Sequence, residues 1–235
     1  MNRTILAIDT STDYAEVALE LPDGQRSDKV TTEKHSHSSS LVKIIEELLS
    51  RERISFSELD AVVIGSGPGS FTGLRIGYAF AKGLSASLKV PLFSYSSFMA
   101  AASSAGEGVS VVFGDARREE VFLGVYRIVE GALAVILAPQ ISPVGELLEI
   151  ADGKRFGQVN HFISGDTDIC KKVDIIASLP KMAGGLIDIF SVEYHQSGDL
   201  IRGLYNPDNV IELAPNYIRS VAAKTIKERL EGSNK

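Results

Sequence analysis

DAVVIGSGPGSFTGLRIG, residues 60–77, carries three structural instructions in succession. Ala61 to Ile64 is a short apolar run that reads as a buried strand. Gly65, Gly67, Pro68 and Gly69 make a turn, since glycine admits positive φ and close backbone approach while proline fixes φ. A helical pattern opens near Ser70, with Ser70 or Thr72 as the capping hydroxyl. Strand, glycine-rich turn and helix N-terminus together offer unpaired N–H groups and a positive dipole end, which suit an anion or a partner's polar groups. The turn is not a Walker A loop, because no Lys followed by Ser or Thr comes after its last glycine.

The helix that follows contains Gly73, Gly77 and Gly83, each costing about 1 kcal/mol relative to alanine. Gly73, Gly77 and Ala81 fall at i, i+4 and i+8 on one stripe, where another backbone can come close, and Ile76, Phe80 and Leu84 form a bulkier stripe beside it. Two readings stand at this point: packing on the domain's own sheet, or a helix pair with another subunit.

A chain of 235 residues, 44% hydrophobic, can bury a substantial core in one or two domains. Its net charge of −6 gives no basic field, so tight unaided nucleic-acid binding is not expected, and a nucleic-acid substrate would need a basic partner. Apolar runs are broken by charge before they reach membrane-spanning length, and Met1 to Ile8 is too short for a signal core, so a cytoplasmic location with no membrane contact is expected. The single cysteine, Cys170, excludes an intrachain disulfide and any multi-cysteine zinc site.

Thr4 to Thr10 and Tyr14 to Leu21 read as a hairpin turning at Ser11, Thr12 and Asp13, and Gln25 to Thr32 as a third strand. Leu41, Ile44, Ile45, Leu48 and Leu49 recur at helical spacing, giving an amphipathic helix over 40–52 that one of Ser38, Ser39 or Ser40 would cap. Val90 to Ser94 is a strand and Ser97 to Ser104 a helix, ending at Gly106 and Gly108. The second half echoes the first, with strands at Val109 to Gly114, Glu120 to Ile128 and Ala132 to Leu137. Helices are expected over 143–150, from Pro180 to about Ser197 and over 220–230, with short strands at His161 to Ser164 and over 210–213.

ILAIDTSTDYAEVAL (Ile5 to Leu19), GPGSFTGLRIG (Gly67 to Gly77) with Ala81, Lys82 and Gly83 after it, DARREEVFLGVY (Asp115 to Tyr126) and PNYIR (Pro215 to Arg219) resemble the TsaB family, also called YeaZ. The resemblance covers the first 126 residues and the C-terminus. It implies an α/β, two-lobed fold of the actin, Hsp70 and sugar-kinase (ribonuclease H-like) type, each lobe a mixed sheet with helices. The first lobe would span 1–107, completed by a C-terminal helix over 214–235, and the smaller second lobe 108–213.

The resemblance further implies a non-catalytic scaffold in tRNA modification. Its catalytic paralogue TsaD transfers a threonylcarbamoyl group to the adenosine next to the anticodon of tRNAs reading codons that begin with A, and a small ATPase, TsaE, completes the assembly. The expected partners are a TsaD-like subunit and a TsaE-like ATPase, with a homodimer when the chain is alone and tRNA met only through the complex. First-lobe helices pair in this family, which puts Leu41, Ile44, Ile45, Leu48, Phe71, Gly73, Leu74, Gly77, Tyr78 and Ala81 at the expected interface.

The candidate nucleotide or anion loop comprises Asp9, Thr10, Ser11, Gly67, Gly69, Ser70, Thr72 and Arg75. No resident cofactor is expected, and ATP or ADP at a partner interface is the candidate ligand. The bland reading of Asp9 is an Asx-type turn with a satisfied carboxylate. Asp115 sits where a second phosphate motif would fall, yet Asp115, Arg117, Arg118, Glu119 and Glu120 read equally as a salt-bridged hairpin turn; Gly184 and Gly185 are a weak candidate for an adenosine contact. The paralogue's metal-binding H-x-x-x-H pair is missing: His35 and His37 stand two apart, and His161 and His195 have no recognisable partners. The rival classes are an autonomous ATPase or kinase of the same fold and, ranked last, a metallopeptidase, for which no nucleophile with a paired base is present.

Overall fold

Strands that are apolar on both faces organise the molecule. The computed structural model describes residues 3–34, 37–156, 158–164, 167–179, 181–194 and 204–218. Every residue of β1 (Ile5–Asp9), β2 (Glu16–Glu20) and β4 (Ala61–Gly65) is buried. Side chains alternate along a strand, so β1 sends Leu6 and Ile8 one way and Ile5 and Ala7 the other, and each face needs a helical cover. Leu6 and Ile8 pack with Leu41, Ile45 and Leu48 of α1 (His37–Glu52) and Tyr78 of α2 (Phe71–Leu88). On the opposite face, Ile5 and Ala7 meet Ala183, Leu186, Ile187 and Phe190 of α6 (Met182–Glu193).

The first sheet has the order β3-β2-β1-β4-β5, with β3 at Arg26–Val30 and β5 at Leu92–Tyr95. β1 to β3 form an antiparallel meander, whereas β4 and β5 run parallel to β1. This is the ribonuclease H-like order of an actin-type lobe. The second sheet, β8-β7-β6-β9, repeats its core: β6 (Gly108–Arg117), β7 (Glu120–Val129) and β8 (Ala132–Pro143) are an antiparallel meander, and β9 (His161–Ile163) pairs parallel to β6.

Helix α3 (Ser97–Ser103) and α6 lie between the two sheets. Phe98, Ala101 and Ala102 face Val112 and Tyr126 of the second sheet, while α6 covers the first. The helices meet backbone to backbone: a Cβ on Gly185 would stand 1.9 Å from the Ala100 carbonyl oxygen. Gly185 is thus a packing residue of this crossing, which corrects its reading as an adenosine contact, and Gly184 has open space where its side chain would be. On the outer face of the second sheet, α4 (Val144–Ala151) and α5 (Thr167–Val173) bring Leu147, Ile150, Ile169 and Val173 onto Val111, Phe113 and Leu123. The layers therefore run helix, sheet, helix, sheet, helix.

Four local expectations change. Helix α1 starts at His37, so Ser38, Ser39 and Ser40 lie inside it and do not cap it. The strand expected over 210–213 is instead helix α7 (Pro207–Glu212): the Asn206 side chain accepts from the Asp208 N–H at 2.9 Å and Pro207 takes the first helical position, where its missing N–H costs nothing. Helix α5 had no counterpart in the sequence reading, and β8 runs on to Pro143. His35, Ser36, His195, Arg219 and the helix expected over 220–230 lie outside the described residues.

Candidate functional site

The end of β1 and the start of α2 meet at one edge of the interlobe cleft, and several of their polar groups bond to each other. Asp9 is buried, and its Oδ1 accepts from the Ser11 N–H at 2.8 Å and the Ser11 Oγ at 2.6 Å. Ser97, opening α3, donates its hydroxyl to Asp9 Oδ2 at 2.6 Å. A Cβ on Gly65 would fall 1.8 Å from that same oxygen, so β4 can carry only glycine there. The Asx-type turn is what forms.

The glycine loop closes over this turn. Ser70 N–H donates to the Ser11 carbonyl at 2.6 Å, and a Cβ on Gly69 would lie 2.0 Å from that carbonyl oxygen. Gly67 N–H donates to Ser97 Oγ at 3.0 Å, and Gly73 N–H to the capping Ser70 Oγ at 3.2 Å. Of the expected anion loop of Asp9, Thr10, Ser11, Gly67, Gly69 and Ser70, the residues do come together in a knot, but the reading is corrected for Ser11, Gly67 and Ser70, whose N–H groups are bonded within the chain, while the buried Thr10 hydroxyl has no hydrogen-bond partner among the described residues. Thr72 and Arg75 lie outside the knot and are exposed. Arg75 stacks on the Phe71 ring at 3.9 Å, and Phe71 packs against Tyr217 at 5.0 Å between ring centroids.

The expected interface residues are placed just as decisively. Leu41, Ile44, Ile45, Leu48, Leu74, Tyr78 and Ala81 are buried in this chain's own core, so their side chains are corrected from docking surface to core. Gly73 and Gly77 face Thr10: a Cβ on Gly73 would lie 2.1 Å from the Thr10 carbonyl oxygen, and one on Gly77 2.2 Å from Thr10 Oγ1. The glycine stripe serves the β1–β2 turn. Of the ten residues expected at the interface, Phe71 alone is exposed, at 38%. The outer faces of these helices are Val42, Lys43, Glu46 and Glu47 on α1 and Thr72, Arg75, Ala79, Gly83 and Ala86 on α2. At Gly83 a Cβ would meet nothing within 4 Å among the described residues.

Beyond the knot lies a cleft of about 360 Å³ between the sheets. Phe98, Leu74, Met182 and Phe122 make its apolar floor, and Thr12, Asp13, Asp115, Arg117 and Ser164 stand among its polar lining. Asp115 accepts from the Arg117 N–H at 2.7 Å and pairs with its guanidinium at 2.9 Å, so the hairpin-turn reading replaces a phosphate motif here. Arg117, Arg118 and Glu119 all take left-handed φ to close that turn. His161 Nε2 lies 3.1 Å from the Glu107 carbonyl oxygen. Among the described residues no three His, Cys, Asp or Glu groups are arranged to hold a metal, and no helix is long and apolar enough to cross a membrane.

One functional-looking group escaped the sequence reading. Glu16, directly across the strand pair from Asp9, accepts the first N–H groups of α6, from Met182 at 2.8 Å and Ala183 at 3.3 Å. Burial, reinforced by the Asp9 carboxylate, outweighs those two hydrogen bonds and pushes the Glu16 carboxyl up to about 8. A carboxyl raised on folding holds a proton that the unfolded chain releases, so it makes stability fall as pH rises from about 4.5 to about 8 and level off above that. Glu16→Gln keeps an acceptor for α6 and removes the titration. Its urea midpoint is expected to drop less than the wild type's between about pH 5 and about pH 8; an identical drop would refute this account of Glu16.

Residues 28–230 match the family described as "TsaD: tRNA N6-adenosine threonylcarbamoyltransferase". The Bacillus subtilis (strain 168) protein named "tRNA threonylcarbamoyladenosine biosynthesis protein TsaB" is 33% identical over 172 residues, covering 72% of this chain and 74% of that one. The chain belongs to the TsaB family. The Haemophilus influenzae TsaB is 36% identical over 125 residues, a match covering 52% of each protein. Among solved structures, one from Pseudomonas aeruginosa described as similar to peptidase YeaZ superposes with a TM-score of 0.71 at 23% identity, covering 92% of this chain and 100% of that one. "YeaZ from Pseudomonas aeruginosa" follows with a TM-score of 0.67 at 24% identity, covering 87% and 98%. At those identities the likeness establishes the fold and nothing finer.

Proposed function

We propose that this chain is a non-catalytic subunit for threonylcarbamoyl transfer to the adenosine next to the anticodon of tRNAs reading codons that begin with A. The match to the Bacillus subtilis TsaB carries the pathway. The subunit role rests on the knot: Asp9, the acidic group that an actin-type enzyme would turn toward phosphates, is buried and held by Ser11 and Ser97. The loop amides of Gly67, Ser70 and Gly73 are bonded within the chain. The acidic net charge leaves tRNA contact to the assembled complex.

The catalytic partner is a TsaD-like paralogue, docked on the outward face of α1 and α2. Gly83 supports that placement: it is an exposed glycine inside a helix, costing about 1 kcal/mol relative to alanine, and no group among the described residues requires it. A TsaE-like ATPase joins the pair, and a second copy of this chain covers the same face when TsaD is missing. ATP or ADP belongs at the junction with the partner, outside the knot.

Reconstitution tests the reading. With TsaD, TsaE, threonylcarbamoyl-AMP and tRNA, formation of threonylcarbamoyladenosine is expected to depend on this chain, and the chain alone is expected neither to hydrolyse ATP nor to modify tRNA. Saturable, metal-dependent ATP hydrolysis by the isolated protein would establish the rival ATPase.

A further inference from the structure

Residues 213–218 lead from α7 to the mouth of the interlobe cleft, and none of them is buried. Leu213 packs on the core of the first lobe and fixes the near end. Two contacts seat the far end: Asn216 N–H donates to the Ser66 carbonyl at 2.8 Å, and Tyr217 rests on Phe71 with ring centroids 5.0 Å apart and planes inclined at 48°. Asn216, Tyr217 and Ile218 all line the cleft, so this stretch is a strap across its mouth. Exposed segments with few contacts open more readily than the core beneath them.

The ring under Tyr217 is also the seat of Arg75, whose guanidinium lies 3.9 Å from the Phe71 centroid. Arg75 is exposed on the outward face of α2 and takes part in none of the ion pairs among the described residues. Its five donors are therefore open to an acceptor from outside the chain. An exposed cation–π contact is weaker than a guanidinium–carboxylate pair shut away from water, so a carboxylate brought against Arg75 in an interface takes the guanidinium off the ring.

We propose that the strap is a docking-linked latch: it closes the cleft mouth in the free chain, and a carboxylate of the docked subunit opens it by drawing Arg75 away from Phe71. This rests on the docking of a TsaD-like subunit against the outward face of α2 given above. Once Arg75 leaves, Phe71 is free to turn, Tyr217 loses its platform, and the Asn216 to Ser66 bond is left to hold the strap by itself. The subunit thus has different contacts with the closed and open strap, which is what a ligand needs in order to shift such an equilibrium. The crossing of α3 and α6 is untouched, so the cleft is uncovered with no movement of the two sheets.

Amide hydrogen exchange reads the latch at Asn216. In the isolated chain, diluted until it is monomeric, Arg75→Ala is expected to exchange there roughly two- to fivefold faster than wild type, the equivalent of one exposed cation–π contact. Adding a TsaD-like subunit in excess is expected to slow exchange in α1 and α2 and to speed it at Asn216, with no further acceleration in Arg75→Ala. A strap that was merely covered by the subunit would slow instead. Equal Asn216 exchange in wild type and Arg75→Ala overturns the latch. Slowing in α1 and α2 with Asn216 unchanged or slowed overturns the latch and leaves the docking standing. Unaltered exchange in α1 and α2 overturns the docking, and the latch falls with it.

Discussion

Gly77→Leu is expected to give a chain that does not fold to a stable monomer. The first atom of any side chain at that position would stand 2.2 Å from Thr10 Oγ1, with Ile64 Cδ1 and Thr10 Cβ both 3.3 Å away, and leucine adds three more carbons in the same direction. Overpacking a filled core costs about 1–3 kcal/mol and sometimes more. Here the obstruction sits on the turn that leads out of β1, so relief means displacing Ser11 from Asp9 and from Ser70 as well. The expected loss is roughly 4 kcal/mol or more, comparable to the whole stability of a marginal domain. Soluble yield and a urea melt read it directly. A well-folded Gly77→Leu monomer that merely fails to bind a partner would restore the glycine stripe to the docking role it was first assigned.

Gly83→Leu is expected to do the opposite. Nothing among the described residues lies within 4 Å of the new Cβ, and leucine is the better helix former by roughly 1 kcal/mol, so thermal stability should hold or rise. What should fail is assembly: a bulky residue in the middle of the outward face of α2 holds a facing helix away along its length. Co-elution with a TsaD-like subunit is expected to weaken by at least about tenfold, on the order of 1.4 kcal/mol, with threonylcarbamoyladenosine formation falling alongside. Wild-type affinity in a folded Gly83→Leu protein would place the interface elsewhere. The two glycines, on one helix, thus separate folding from docking.

The sequence yielded whatever is local. Residues 60–77 form the strand, turn and capped helix their pattern implies, and Asp9 forms the turn that its neighbours Ser11 and Thr12 suggest. The hairpin-first order in both halves was readable too, because each meander is made of neighbours in the chain. What could not be read is direction. Helical spacing tells which residues of α2 share a side, but Gly73 and Gly77 meet Thr10, far away in the chain, and no periodicity encodes that. Glu16 escaped for a similar reason: in EVALE it reads as the polar phase of a strand, and its burial depends on the N-terminus of α6, supplied from the far end of the chain. Helix α7 was a lapse of a different kind. Asn206 and Pro207 mark a helix start, whereas the apolar residues Val210, Ile211 and Leu213 by themselves fit a strand as well.

The crossing of α3 and α6 bears on how the two halves can move against each other. Enzymes that clamp a substrate between two halves need a hinge, or helices that slide past one another on interchangeable side chains. At Gly185 the main chain of α6 lies against the main chain of Ala100, with Met182 and Phe98 packed beside it. Parting the jaws would pull those helices apart outright, with the loss of the contacts that unite the halves. Main chain packed this closely resists opening of the two halves at this point.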